Sequence, residues 1–249
     1  MRHGSLFTGI GGNDLAAEWM GWDNIFQVEK DIACQKLLKK RFPNTELHGD
    51  IKEFKPEQGS VDIITGGFPC QPFSQAGKRR SKEDDRYLWP EMLRVIQEAK
   101  PKFVVAENVT NIDGMALKEV LNDLEDEGYE TLPPLEIEAA SVGAFHRRNR
   151  VWIIAIKEDP LDTNTNSIGS HREGVDQQGS VEFQHEQISL PGSLVSPSIQ
   201  QGVDPRVFRN SNGLSSRVDR LKQIGNAICP QIAFEIFKAI ECTQNPSKN

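Results

Sequence analysis

Cysteine is scarce and scattered in this sequence of 249 residues: Cys34, Cys70, Cys229 and Cys242 form no C-x-x-C pair, and the five histidines do not cluster with them. Neither a zinc site nor a disulfide framework is expected from such spacing. Also missing is any apolar run near the roughly 20 residues that a membrane helix requires. The opening MRHGSLFTGIGG carries no signal-peptide pattern. These absences predict a soluble, cytoplasmic chain without metal or membrane, whose cysteine chemistry is that of an unbridged thiol. A basic excess is missing too, since the formal net charge is −7 and proteins that hold nucleic acid usually show a basic footprint. Distribution qualifies the total. Acid is concentrated in LNDLEDEGYE, Leu121 to Glu130, whereas basic residues gather in GKRRSK, in HRRNR and between Arg206 and Lys222. An acidic body with basic local surfaces is compatible with DNA held in a cleft.

What is present is a repeated alternation. RHGSLFTG and DNIFQVE read as strands, and GGNDLAAEWMG between them places Leu15, Ala16 and Trp19 at helical spacing. DIACQKLLKKRF, YLWPEMLRVIQEA and ALKEVLNDLEDEG read as further helices, and VDIITGG, KFVVAENV and RVWIIAI as further strands. This order predicts an α/β fold, a doubly wound and mostly parallel sheet of Rossmann-like type, with ligands gathered at the carboxyl ends of the strands. A chain of this length can bury a large core without help from metals or disulfides. After Lys157 the composition shifts to Asn, Ser, Gly, Gln and Pro, and periodicity is lost until RVDRLKQIGNAICPQIAFEIFKAIE. The expected organisation is residues 1–157 as a main domain, 158–212 as a polar excursion and 213–249 as a segment that returns to the first.

Chemistry is suggested at the strand ends. FTGIGG, Phe7 to Gly12, turns from a strand into a helix where bare backbone can approach a ligand. It is not the full G-x-G-x-x-G fingerprint, because Asp14 takes the last place. Glu29 follows Gly9 by about 20 residues, where a carboxylate can accept from ribose hydroxyls. Asp50, in LHGDI, is placed to meet an adenine amino group, and together these indicate an adenosine-containing cofactor. The plainer alternative for Glu29 and Asp50 is a solvated strand-end acid. GGFPCQPF sets Cys70 between Pro69 and Pro72, whose fixed φ confines the thiol as a nucleophile must be confined. Glu107, in AENV, lies at the sheet rim, where desolvation raises a carboxylate toward neutrality, or else caps the next helix. In HRRNR, Arg148 and Arg150 share one face if the strand alternation extends back to them; otherwise the segment is a solvated basic turn.

The order FTGIGG, Glu29, GFPCQPFSQAG, AENV, HRRNR and QIGNAICP resembles the cytosine carbon-5 DNA methyltransferases over roughly the first 157 residues and about the last 40. The resemblance implies S-adenosylmethionine as cofactor and double-stranded DNA as partner. It implies that Cys70 attacks carbon 6 of a flipped-out cytosine, that Glu107 donates to ring nitrogen 3, and that Arg148 and Arg150 complete the catalytic set. A cysteine titrates near ~8.5, so a cation such as Arg148 helps hold the thiolate. A stacked base is out of reach, so base flipping is implied as well. By the same resemblance Phe7, Gly9, Gly12, Glu29, Asp50, Ile51, Pro69, Leu88 and Asn226 line the cofactor pocket. Gln71, Ser74, Lys78, Arg79, Arg80, Asn108, Arg206 and Arg209 meet DNA. The excursion 158–212 takes the place of the family's target-recognition region in reduced form, as in compact bacterial or phage modification enzymes. A monomer is implied, with a restriction endonuclease of the same system as a further partner.

His146 stands where the family usually has glutamine, which puts the hydrogen bonding around Arg148 in question. Rival readings are a tRNA cytosine-5 methyltransferase with the same cysteine and glutamate, a catalytically silent nucleic-acid-binding relative, and a nicotinamide oxidoreductase. The last accounts for FTGIGG and Glu29 but leaves Cys70 and AENV unexplained.

Overall fold

Short, largely buried strands form the centre of the molecule, and helices with an apolar face cover them. The computed structural model describes residues 1–70, 87–110, 112, 114–144, 147–157 and 227–244. In chain order the strands are β1 (Arg2–Leu6), β2 (Asp23–Val28), β3 (Glu46–His48), β4 (Ile63–Gly66), β5 (Phe103–Val109), β6 (Tyr129–Thr131), β7 (Leu135–Glu138) and β8 (Asn149–Lys157). The helices are α1 (Gly12–Trp19), α2 (Ile32–Arg41), α3 (Trp89–Ala99), α4 (Gly114–Asp126) and α5 (Pro230–Gln244), with a 3-10 turn at Ala139–Val142.

Among the described residues these strands form one eight-stranded sheet in the order β3-β2-β1-β4-β5-β8-β6, with β7 also on β8. The run from β3 to β5 is parallel throughout, as the alternation of strands and helices requires. Successive side chains of one strand point to opposite faces, and both faces are apolar. Ile64, Val104 and Ala106 join Trp89, Met92 and Ile96 of α3 and Val120 and Leu124 of α4. Ile63, Phe103 and Val105 join Ala16 and Ala17 of α1 and Ile232, Ile236 and Phe237 of α5. Full burial of each such large side chain stabilises the fold by about 1.5–3 kcal/mol. The spacing of Ile232, Ile236, Phe237 and Ile240 puts one stripe of α5 inward, where Phe237 stacks on Trp22 at 4.8 Å.

Local chemistry sets several boundaries. Asp31 caps α2, its carboxylate accepting from the N–H groups of Ala33 and Cys34. Pro90 sits in the first turn of α3, and Lys100 in left-handed conformation ends it. β6 and β7 were not evident in the sequence. Both lie along the same edge of β8, antiparallel to it, at Ala155–Lys157 and Asn149–Trp152 respectively. Pro133 and Pro134 separate them, because proline has no N–H to give to the ladder.

The direction of β8 governs the site. It pairs antiparallel with β5, Glu107 opposite Trp152 and Val109 opposite Arg150. Its beginning therefore lies where the parallel strands end, and Arg150 is delivered to the same rim as the turns after β1, β2, β3 and β4.

Candidate active site

The turn after β1 is built for close approach. Phe7, Gly9 and Gly11 all have positive φ, at 52°, 59° and 86°. Thr8 braces the turn, its N–H donating to the Val28 carbonyl at 3.1 Å and its hydroxyl to the Ser5 carbonyl at 3.2 Å. Glu29 holds it from the neighbouring strand. Its Oε2 accepts from the Gly9 N–H at 2.7 Å, and its Oε1 accepts from the Asp31 N–H at 2.7 Å. Burial pushes the Glu29 carboxyl up, while those two N–H groups pull it down. A solvated strand-end acid does not describe this residue.

Beside the turn is a cavity of about 180 Å³ lined by Phe7, Val28, Lys30, Gly49, Asp50, Ile51, Lys52 and Leu88. Phe7, Ile51 and Leu88 give it apolar walls suited to a flat aromatic ring, with Asp50 at the edge. The Asp50 carboxylate accepts from Lys30 Nζ at 2.9 Å and from the Lys52 N–H at 3.0 Å, and these contacts hold it below the usual range. Four of the residues expected at the cofactor thus line one cavity. Lys30 was overlooked in the sequence, although it directly follows Glu29.

The second cluster lies at the ends of β4 and β5. β4 ends at Gly66, and Gly67, Phe68 and Pro69 lead to Cys70, which is half-buried against the core. Glu107 is 8% exposed within β5. A Cβ on Gly67 would stand 3.0 Å from Glu107 Oε2, so the glycine leaves room for that carboxylate over the chain leading to the cysteine. Arg150 Nε stands 2.9 Å from Glu107 Oε1 as an ion pair. Burial raises the Glu107 carboxyl; Arg150 and, less strongly, Arg148 oppose the rise. Burial and the neighbouring Arg150 lower the Arg148 guanidinium.

Two expectations are corrected by the geometry. Arg148 does not continue the strand: β8 begins at Asn149, and Arg148 has φ 24°, so a turn and not strand alternation brings it near Glu107. Asn108, expected among the DNA contacts, is buried, with its amide donating to the Phe68 carbonyl at 3.0 Å and its oxygen accepting from the Val109 N–H. It ties the end of β5 to the segment before Cys70.

Ile228, within the QIGNAICP segment, joins the two clusters, a role the motif itself does not reveal. A Cβ on Gly12 would lie 2.5 Å from the Ile228 carbonyl oxygen, and one on Gly67 would lie 3.6 Å from its side chain. The C-terminal segment is therefore seated between the glycine-rich turn and the Glu107 rim. Gln71, Ser74, Lys78, Arg79, Arg80, His146, Arg206, Arg209 and Asn226 lie outside the described residues, as does the excursion 158–212. Among the described residues no group of three His, Cys, Asp or Glu side chains could hold a metal ion.

The family model for C-5 cytosine-specific DNA methylase matches residues 1–195. Type II methyltransferase M.PspPI of Psychrobacter sp. (strain TA137) is 40% identical over 165 residues, which cover 63% of this chain and 40% of the relative. Type II methyltransferase M.HpaII of Haemophilus parainfluenzae is 38% identical over 160 residues, covering 60% of this chain and 44% of its own. The chain thus spans under half the length of these curated relatives. A crystal structure of an E. coli prophage protein assigned as a DNA modification methyltransferase superposes with TM-score 0.54 at 27% identity, covering 63% of this chain and 47% of that one. The S. pombe Dnmt2 methyltransferase superposes with TM-score 0.54 at 20% identity, covering 63% of this chain and 51% of that one, a likeness of fold.

Proposed function

The chain belongs to the C-5 cytosine-specific DNA methylases, and from that premise we propose that it methylates carbon 5 of cytosine in double-stranded DNA. One observation carries the reading: Cys70 and Glu107 stand at the ends of adjacent strands, and Gly67 leaves the Glu107 carboxylate clear over the segment that leads to the thiol. A pyrimidine ring is a poor electrophile and a poor nucleophile, so both groups are needed.

Cys70 acts as thiolate, its sulfur lone pair forming a bond to carbon 6 while the ring electrons shift to carbon 5. Glu107, raised by burial, supplies a hydrogen bond or proton to nitrogen 3 as that charge develops. Arg150 fixes the carboxyl of Glu107 by its ion pair, and Arg148 adds positive charge to the same rim. The carbon-5 proton then passes to solvent water, its bonding pair re-forms the carbon 5–carbon 6 double bond, and the carbon–sulfur bond breaks to restore the thiolate. S-adenosylmethionine, when bound, supplies an electrophilic methyl group. The cavity of Phe7, Ile51 and Leu88 with Asp50 at its edge fits the adenine of that cofactor, and Glu29 beside Gly9 fits its ribose. Gly12, Pro69 and Asn226 complete the pocket in this reading.

Residues 1–157 and 213–249 form the catalytic part in this proposal, and 158–212 read the target sequence. Gln71, Ser74, Lys78, Arg79, Arg80, Arg206 and Arg209 are assigned to the DNA. In this proposal the enzyme works as a cytoplasmic monomer; that it modifies DNA alongside a restriction endonuclease is suggested by the relatives named type II methyltransferases. Among the described residues no helix is long and apolar enough to cross a membrane.

The test is methyl transfer from labelled S-adenosylmethionine to duplex DNA and, in parallel, to tRNA, with bisulfite sequencing of the DNA. Label at cytosine in duplex DNA supports the proposal. Label in tRNA alone replaces the substrate, and no transfer to either refutes the activity.

A further inference from the structure

Cys70 and Tyr87 stand at the two sides of one backbone bridge: the Leu88 N–H donates to the Pro69 carbonyl in a long hydrogen bond of 3.4 Å. Both side chains pack against the same core, which Trp89, Met92 and Leu124 help to build. The Tyr87 hydroxyl oxygen is buried yet has no hydrogen-bond partner. A hydroxyl left so in a folded interior is costly, on the order of 1–3 kcal/mol, and such a cost is commonly tolerated where a partner arrives during function.

We propose that Tyr87 is a positioning residue for the reaction, its hydroxyl donating a hydrogen bond to the Cys70 sulfur when that sulfur is ionised. The inference rests on the reading of Cys70 as the nucleophile. No proton is transferred between the two side chains: the thiol proton leaves to solvent, and the phenol keeps its own. The charged groups around the hydroxyl agree with a donor role. From α4, Glu119 and Asp123 face it, and from the end of β4, Cys70 does. Together with burial, which acts most strongly, these negative charges keep the phenol protonated well above its ordinary range. Asp123 already accepts from Trp89 Nε1 at 2.8 Å, and Glu119 closes no hydrogen bond of ordinary geometry with the hydroxyl. Of these three acceptors the thiolate is the one whose charge is created for the reaction, and a bond from a neutral donor to a charged acceptor is the strong kind.

The experiment is the pH dependence of Cys70 alkylation by iodoacetamide, followed peptide by peptide by mass spectrometry so that Cys34, Cys229 and Cys242 are resolved from it. The full-length protein is used without DNA or cofactor. Tyr87→Phe removes only the hydroxyl, and its Cys70 inflection should lie about one pH unit above the wild-type value. Glu119→Ala, which removes a repelling carboxylate and leaves the donor, should leave the inflection in place or lower it slightly. An unmoved or lowered inflection in Tyr87→Phe overturns the inference. So does an inflection raised equally by Glu119→Ala, which would make Glu119 the hydroxyl's true partner. Because the readout involves no methyl transfer, it fails separately from the function: loss of this result leaves Cys70 as nucleophile untouched, whereas an active Cys70→Ser enzyme removes the nucleophile itself.

Discussion

Arg150 Nε lies 2.9 Å from Glu107 Oε1, and the two side chains are only 21% and 10% exposed. Breaking such a pair leaves a carboxylate buried without its cation, at a cost of about 3 kcal/mol. The cost depends on pH with a definite sign. Burial raises the folded-state value of Glu107 above its ordinary 4.5, so the folded protein binds the proton more tightly than the unfolded chain. Its contribution is most favourable below that ordinary value and is lost as pH rises through the folded-state value. Arg150→Ala pushes the folded value higher still. Urea unfolding of this variant should match wild type near pH 4 and fall progressively further below it up to pH 8. A loss independent of pH contradicts the pairing.

The glycine-rich turn predicts two distinct defects. At Gly12 an added Cβ meets the Ile228 carbonyl at 2.5 Å, and backbone cannot swing away as a side chain can. Gly12→Ala should destabilise by about 1–3 kcal/mol and displace the segment 227–229. At Gly9 an added Cβ meets nothing within 4 Å among the described residues, but φ is +59°. Gly9→Ala should therefore cost roughly 1 kcal/mol of left-handed strain alone. Thermal unfolding of the pair checks the order, and a Gly9 variant less stable than the Gly12 variant would contradict it.

Glu29 ties two backbone N–H groups to one carboxylate. Glu29→Ala abandons both, and calorimetric affinity for S-adenosylmethionine should fall at least about tenfold, with Glu29→Gln between it and wild type. Duplex DNA affinity should be unchanged. If Glu29→Ala binds cofactor normally, the carboxylate belongs only to the fold.

The parallel half of the sheet was legible because its strands alternate with helical stretches and several are short apolar runs closed by glycine or a polar residue, as in VDIITGG. Gly9 with Glu29, and Asp50, were legible through the same rule, since ligands gather at the carboxyl ends of strands. β6 and β7 were not, because Pro133 and Pro134 split them into pieces too short to show a period. The position of Arg148 also escaped the pattern: strand alternation says nothing of a residue at φ 24° one step before the strand begins. Lys30 and Ile228 act through contacts that join segments distant from one another in the fold or chain, Lys30 with Asp50 and Ile228 with Gly12 and Gly67. No single stretch of sequence carries such a contact. The resemblance assigns Asn108 to DNA, whereas its amide is engaged with Phe68 and Val109, and the sequence alone does not distinguish an exposed from an internally engaged amide.

The central claim, that Cys70 forms a bond to the cytosine ring, is tested most directly by trapping. Duplex DNA carrying 5-fluorocytosine at the methylated position cannot lose a carbon-5 proton, so the enzyme should remain attached when S-adenosylmethionine is present. A denaturation-resistant protein–DNA complex whose cross-linked peptide contains Cys70 is expected, formed equally by Cys34→Ser and Cys242→Ser and absent from Cys70→Ser. A complex formed by Cys70→Ser, or a cross-link mapped to another residue, would contradict it.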